Sequence, residues 1–294
     1  MALATRPAAS SHLARITAGS LPVSRYLNPI ALGRDLWRHR ELIRQFTRRE
    51  VEGRYRGSLL GVFWSFVHPL ALLVIYTFVF GIVFQARWPD ARTRGLLEFA
   101  LVLFGGIVVF GIFSECVTRA AGIIVAVPNY VRKVVFPLEV LPVSVLGSAL
   151  FHALVSLAIL LGAELMHSGR IHPTVVLLPL ALLPLVLLSL GLTWFLASLG
   201  VFLRDIGYAV PLAVQVLFFG TPVLYPLENV PEPFRTFVRL NPLTSAVENF
   251  RRLVFRGTLP DWGELAAWTA LTGLVTLLGY AWFMKTKRGF ADVI

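Results

Sequence analysis

Charge is scarce in this chain. Only 15% of its 294 residues are Asp, Glu, Lys or Arg and 56% are hydrophobic, whereas soluble domains carry about 25% charged and 45–50% apolar residues. Both departures run in the direction expected when lipid is the solvent. Cysteine is nearly absent: Cys116 stands alone, which excludes an internal disulfide, and with no CxxC or Cys/His cluster there is no structural zinc signature. No GxxxxGKS/T is present, so nucleotide phosphates are not cradled by a P-loop of this chain. HExxH, GxSxG and the kinase motifs are missing too. Glu164, His167 and His172 read as polar residues at a helix boundary, because Gly169 and Pro173 break any metal-ligand geometry. No bound cofactor or metal is expected, and the spans are read as lacking the convergent acids and bases that an intramembrane enzyme would need.

What is present is a set of long uncharged runs, at 57–86, 99–114, 140–163, 173–203, 206–227 and 265–284. Five of the six reach the roughly 20 residues that cross a bilayer core. The fold class is therefore an all-α membrane protein with six spans, at about 60–85, 97–119, 138–163, 173–203, 206–226 and 264–285. The short second run predicts a helix that continues through Glu115 and Arg119, which at i,i+4 can neutralise one another. The long fourth run contains Pro173, Pro179 and Pro184 and predicts a kink or strong tilt.

The net charge of +11 sets the orientation. Eleven Arg precede Gly57, and no apolar signal-peptide core accompanies them. With six spans, 18 Lys and Arg fall on the side of the N-terminus and 9 on the other, placing both termini in the cytoplasm. Nucleic-acid binding is rejected, because the positive charge sits beside the spans without soluble structure.

Residues 1–30 lack helical periodicity and are read as a mobile cytoplasmic tail. Residues 31–56 are read as one basic amphipathic helix lying in the lipid interface, with Asp35 as N-cap and Leu36, Trp37, Leu42, Ile43, Phe46 and Val51 on its apolar side. The segment 120–137 suggests a short surface helix. Between spans five and six, 230–257 reads as two short helices. Ser245 and Glu248 have capping-box form and predict a helix from Ala246 to Arg256, stopped at Gly257. Val247, Phe250 and Val254 share its apolar face, and Arg251 and Arg252 point elsewhere.

Three sequence blocks go further. RYRGSLLGVFWSFVHPL from Arg54, PNYVRKVVFPLEVLP from Pro128, and TPVLYPLENVP with LNPLTSAVENFRRLVFRG after span five occur in this order. They resemble the permease subunits of type-2 ABC exporters for O-antigen and capsule-type polysaccharide, over the chain from about Asp35 onward. The resemblance implies a homodimer joined to two copies of a separate ABC ATPase, which would carry the ATP and Mg, in a bacterial inner membrane. The cargo it implies is a polysaccharide on a polyprenyl pyrophosphate lipid. The missing P-loop agrees, since energy must then arrive from a partner.

Residue roles follow from the matching blocks. Arg54, Tyr55 and Arg56 are placed to receive the pyrophosphate, because guanidinium forks pair bidentately with phosphate oxygens. Pro128, Asn129, Tyr130, Arg132 and Lys133 correspond to the ATPase coupling segment. Trp64, Tyr76, Phe218, Phe219 and Tyr225 are candidate channel lining, since aromatic faces stack on sugar C–H surfaces. Asn241, Pro242, Glu248, Arg251 and Arg252 correspond to the periplasmic re-entrant gate. Competing readings are a permease for a small lipophilic drug or antibiotic, a teichoic-acid exporter, and a membrane enzyme acting on polyprenyl carriers.

Overall fold

In lipid every backbone polar group must be satisfied within the protein, which leaves helices as the form for long uncharged runs. The computed structural model describes residues 26–84, 96–132 and 136–294, and every regular element among them is helical. Among the described residues five stretches are long and apolar enough to cross a membrane: Gly61–Phe80, Leu97–Ala120, Val140–Ser168, Pro173–Phe202 and Trp262–Val293. The protein is thus an all-α, multi-pass membrane protein.

The N-terminal region forms two helices, α1 (Pro29–Arg38) and α2 (Arg40–Arg54), and departs from the sequence reading in two ways. The N-cap is Asn28, whose Oδ1 accepts from the amides of Ile30 at 2.9 Å and Ala31 at 3.3 Å, while Asp35 lies inside α1. Pro29 follows at N1, where its fixed φ suits a helix start and its missing N–H costs nothing. The expected single helix is also interrupted at His39, whose ring nitrogen Nδ1 contacts the Asp35 carbonyl at 2.8 Å. Residues 1–25 of the expected tail lie outside the described residues.

Span one is α3 (Trp64–Tyr76), entered by a 3-10 turn at Gly61–Phe63 and continued as π-helix over Thr77–Val83. Span two is α4 (Leu96–Ala120), which runs through Glu115 and Arg119 as the sequence predicts. The short helix α5 (Pro128–Arg132) follows, then span three, α6 (Val140–Ser168). The proline-bearing fourth run is kinked as predicted: a 3-10 turn at Pro173–Leu177 and one helical turn, α7 (Leu178–Ala181), break at Leu182 before α8 (Leu183–Phe202).

The helix α9 (Ile206–Gly220) is apolar but has only 15 residues, roughly 22 Å against a core of about 30 Å. After it come α10 (Glu232–Arg239), α11 (Pro242–Arg251) with a π turn at Arg252–Arg256, the long α12 (Trp262–Thr286), and the short α13 (Phe290–Val293). The capping-box reading is corrected here. Asn241 caps α11 by accepting from the Leu243 amide at 3.0 Å, Pro242 stands at N1, and Ser245 is a buried residue inside the helix. The stop at Gly257 is as expected, with φ at +63°.

Helices attract one another in lipid through close packing and interhelical hydrogen bonds, so their interfaces favour small residues. The α8–α12 contact follows that rule. A Cβ on Gly191 would stand 2.7 Å from Thr276 Cα, and one on Gly279 would collide with the Gly191 backbone. Thr276 Oγ1 donates across this contact to the Leu187 carbonyl at 2.7 Å. Span two is the core helix of the fold, with Ala100, Leu101, Leu103 and Cys116 fully buried, and its neighbours include α3, α6, α8, α9 and α11.

Candidate substrate-entrance site

The last turn of α2 lies against the end of α4 where Glu115 and Arg119 stand. Glu50 and Arg54 are spaced i,i+4 on α2, as Glu115 and Arg119 are on α4, and the pairs meet antiparallel. Arg54 Nη1 donates to Glu115 Oε1 at 2.8 Å, Arg119 pairs with Glu50, and Arg119 Nη1 lies 3.6 Å from Glu115 Oε1. The predicted Glu115–Arg119 pair is present, but as the middle link of a four-charge chain joining the N-terminal helix to span two. A charge at the membrane edge is costly unless paired, and the alternating signs satisfy all four groups together.

Span three adds a fifth group. His152 Nδ1 lies 3.1 Å from Glu115 Oε2 and 3.0 Å from Arg54 Nη1. It can donate to the carboxylate or accept from the guanidinium, but one nitrogen cannot do both at once. His152 Nε2 is buried with no hydrogen-bond partner. The sequence reading of spans without convergent acids and bases is therefore corrected. Residues 37 and 61 positions apart meet here, a convergence that helix packing creates and sequence spacing does not reveal. The signal available was an acid and a histidine inside apolar runs, where an ionisable group calls for a partner.

Tyr55 packs edge-on against the His152 ring at 6.0 Å. Burial pushes its phenol pKa up, opposed by neighbouring Arg54 and reinforced by Glu115. Arg56 is exposed and makes no ion pair among the described residues. Two of the cavities around these groups adjoin one another. One of about 880 Å³ is lined by Arg49, Arg54, Arg56 and Arg119 with Glu50, Glu52 and Gly53, so positive charge is in excess by four groups to two. The other, about 720 Å³, shares Arg54, Arg56 and Arg119 and extends between spans one, two and three past Tyr55, Trp64, His68, Glu115 and His152. The predicted trio Arg54, Tyr55 and Arg56 thus lies where the cavities adjoin.

The candidate lining aromatics do not gather in one place. Trp64 lines the second cavity and donates from Nε1 to Ser58 Oγ at 2.9 Å. Tyr76 sits beside Phe80 near the far end of span one. Phe218 packs against Phe110 at 5.1 Å, Phe219 is exposed, and the Tyr225 hydroxyl donates to the Phe219 carbonyl at 2.8 Å.

Pro128, Asn129, Tyr130 and Arg132 form α5; Lys133 lies outside the described residues. The Tyr130 ring stacks on Phe136 at 4.8 Å and meets Phe46 of α2 at 5.8 Å, and Arg49 donates to its hydroxyl at 3.1 Å. Arg132 donates to the Ile294 carbonyl beside α13. The short helix is therefore tied to α2 and to the C-terminal helix together.

The last candidate group centres on Arg251. The reading that it points away from the apolar face is overturned: its side chain is 1% exposed. Nη1 donates to the Pro222 carbonyl at 2.8 Å and to Glu248 Oε1 at 2.7 Å, and Nη2 donates to the Val223 carbonyl at 2.9 Å. The apolar-face pattern could not show this, because the broken backbone after α9 supplies the partners. Gly106 of span two makes room: a Cβ there would stand 3.2 Å from Arg251 Nη2 and 3.3 Å from the Val223 oxygen. Asn241 Nδ2 donates to Thr221 Oγ1 at 3.0 Å, closing the same turn. Arg252 is only partly buried.

Comparison with known proteins agrees with these features. The family model for the ABC-2 type transporter matches residues 41–255. The O-antigen export system permease protein RfbA of Myxococcus xanthus is 31% identical over 267 residues, covering 90% of this chain and all of the relative. An RfbA of Klebsiella pneumoniae is 27% identical over 86% of this chain and 95% of its own length. The polysialic acid transport protein KpsM of Escherichia coli is 28% identical over 78% of this chain and 86% of its own. A bundle of membrane-crossing helices without a P-loop, matched by that model over most of its length, belongs to the ABC-2 type transporter family of membrane permeases.

Proposed function

We propose that this chain is the membrane permease subunit of an ABC exporter for O-antigen or capsule-type polysaccharide, carried on a polyprenyl pyrophosphate lipid. The observation that carries this reading is the end-to-end similarity to an O-antigen export permease. The chain is a transport subunit and not an enzyme, and ATP hydrolysis takes place on a separate partner. In this reading two copies of the permease join two copies of the ATPase in a bacterial inner membrane, with both termini cytoplasmic. The chain crosses six times, α9 and the turn after it supplying the fifth crossing.

Arg54 and Arg56 receive the lipid pyrophosphate. The support is electrostatic: Arg56 makes no ion pair among the described residues, Arg54 is half-exposed, and the cavity they share carries excess positive charge. Because Arg54 is held by carboxylate and imidazole groups that retain other partners, a diphosphate can take it without leaving Glu115 unpaired. Trp64 lines the same approach. Tyr76, Phe218, Phe219 and Tyr225 lie apart from it and are the remaining candidates for channel lining.

The segment from Pro128 through Lys133 meets the ATPase. A displacement of α5 reaches α2 through Tyr130, Phe46 and Arg49, and α2 grips span two through Glu50 and Arg54. This contiguous, charge-locked path is how nucleotide-driven movement would open the entrance. At the opposite leaflet α10 and α11 re-enter the membrane as the gate, with Asn241, Pro242, Glu248, Arg251 and Arg252. The buried Arg251 supports this, since irregular backbone at membrane depth is tolerated only where protein satisfies it.

The test is co-purification followed by export. The chain, expressed with its ATPase subunit in cells making the lipid-linked polymer, should purify as a complex, and its deletion should leave polymer on the cytoplasmic face. A chain that binds no ATPase, or whose deletion leaves surface polymer unchanged, would refute the proposal.

A further inference from the structure

We propose that the cavity of about 720 Å³ between spans one, two and three is a sugar subsite, which holds the first sugar of a glycosyl diphosphate while Arg54 and Arg56 hold its phosphates. This rests on the reading that those two arginines receive the diphosphate.

The chemistry of the wall carries the inference. Ser65, Thr118 and Ser156 line the cavity, and each gives its hydroxyl proton to a backbone carbonyl: Ser65 to Val62 at 2.7 Å, Thr118 to Ser114 at 2.6 Å and Ser156 to His152 at 2.9 Å. A hydroxyl has one proton and two lone pairs, so toward the cavity these three are acceptors. Glu115 adds carboxylate oxygens, and Ser58 already accepts from the Trp64 indole. The guanidinium groups at one end are donors, and Tyr55, Ser58 and Ser114 add hydroxyls that can donate as well as accept. Such a wall matches a ligand that is anionic at one end and rich in hydroxyls behind it, with the Trp64 ring available to a ring face.

Past Glu115 and His152 the space narrows to about 110 Å³ among Leu72, Phe104, Ile107 and Ile112, so the roomy, polar part of the cavity is the part beside the arginines. The lining residues come from α3, α4 and α6 and lie beside the arginines that hold the phosphates, where the reducing-end residue of the glycan would be read.

Binding to the purified full-length chain in detergent tests this by isothermal titration. The probes are farnesyl diphosphate and farnesyl diphosphate bearing one glucose, galactose or N-acetylglucosamine. At least one glycosylated probe should bind about tenfold more tightly than farnesyl diphosphate, the increment expected of one or two added hydrogen bonds. Thr118→Val with Ser156→Ala should erase that gain and leave farnesyl diphosphate binding unaltered. Equal affinity for all four probes, or a gain that survives the double substitution, would overturn the subsite. So would phosphatidylglycerol binding more tightly than every glycosylated probe, since that would mark a lipid-headgroup site. Failure of the underlying reading looks different: farnesyl diphosphate would bind equally to the wild type and to Arg54→Gln/Arg56→Gln.

Discussion

Two arginines show how differently the same side chain is used at two places in this bundle. Arg54 is 49% exposed and bonded to Glu115 and His152, side chains that have other partners. Arg251 is 1% exposed and bonded to two backbone carbonyls and Glu248. The partners of Arg54 can be exchanged for a phosphate at small cost, because the interaction is partly solvated and its members are satisfied elsewhere. Those of Arg251 cannot, since the carbonyls after α9 have no substitute donor and a buried unpaired group is costly. One arginine is suited to binding, the other to holding a break in the backbone.

The largest effect that could break this contrast is at Arg251. Arg251→Met should cost about 3–5 kcal/mol, the loss typical of removing one member of a buried charged network, and thermal unfolding in detergent would show it as a large fall in midpoint. Arg252→Met, at the next position and less buried, should change the midpoint little. Equal effects would mean that burial and backbone bonding do not distinguish the two. Next in size is the α8–α12 contact, where Gly279→Val should separate the helices and cost about 1–3 kcal/mol, as overpacking does, measured by the same transition. Asn28→Ala and Asn241→Ala should each cost about 1 kcal/mol through a lost N-cap. The smallest stability change should come from Arg54→Gln/Arg56→Gln, under about 1 kcal/mol because the groups are exposed, although export should fall severely.

Five of the six expected spans were legible because a single physical demand, uncharged length, locates them, whereas the run 206–226 forms a helix of only 15 residues. That demand also gave the continuation of α4 through Glu115 and the kink before α8. Helix starts were less legible, and both misreadings share a cause. At Asn28-Pro29 and Asn241-Pro242 an Asn cap precedes a Pro at N1, and in each case a later Asp or Ser drew the boundary inward. Arg54 and Arg56 stand out in the sequence by charge and position, and their role as the entrance is the proposal. Their setting could not, because His152 reaches Glu115 only after α4 and α6 pack. Arg251 was hidden for the same reason: its partners are carbonyls of a turn whose form depends on where α9 ends. The aromatic candidates scattered because aromatic residues serve packing as readily as lining, and only Trp64 stands beside the charged cavity.

The most direct test of the central claim is translocation by the chain reconstituted with its ATPase subunit in sealed vesicles. The readout is ATP-dependent transfer of a polyprenyl-diphosphate polysaccharide across the bilayer. The wild-type complex should transport the polymer, while Arg54→Gln/Arg56→Gln should assemble with the ATPase normally and transport it at least tenfold more slowly. Transport at the wild-type rate by that variant would contradict the role of these arginines as the pyrophosphate-receiving entrance.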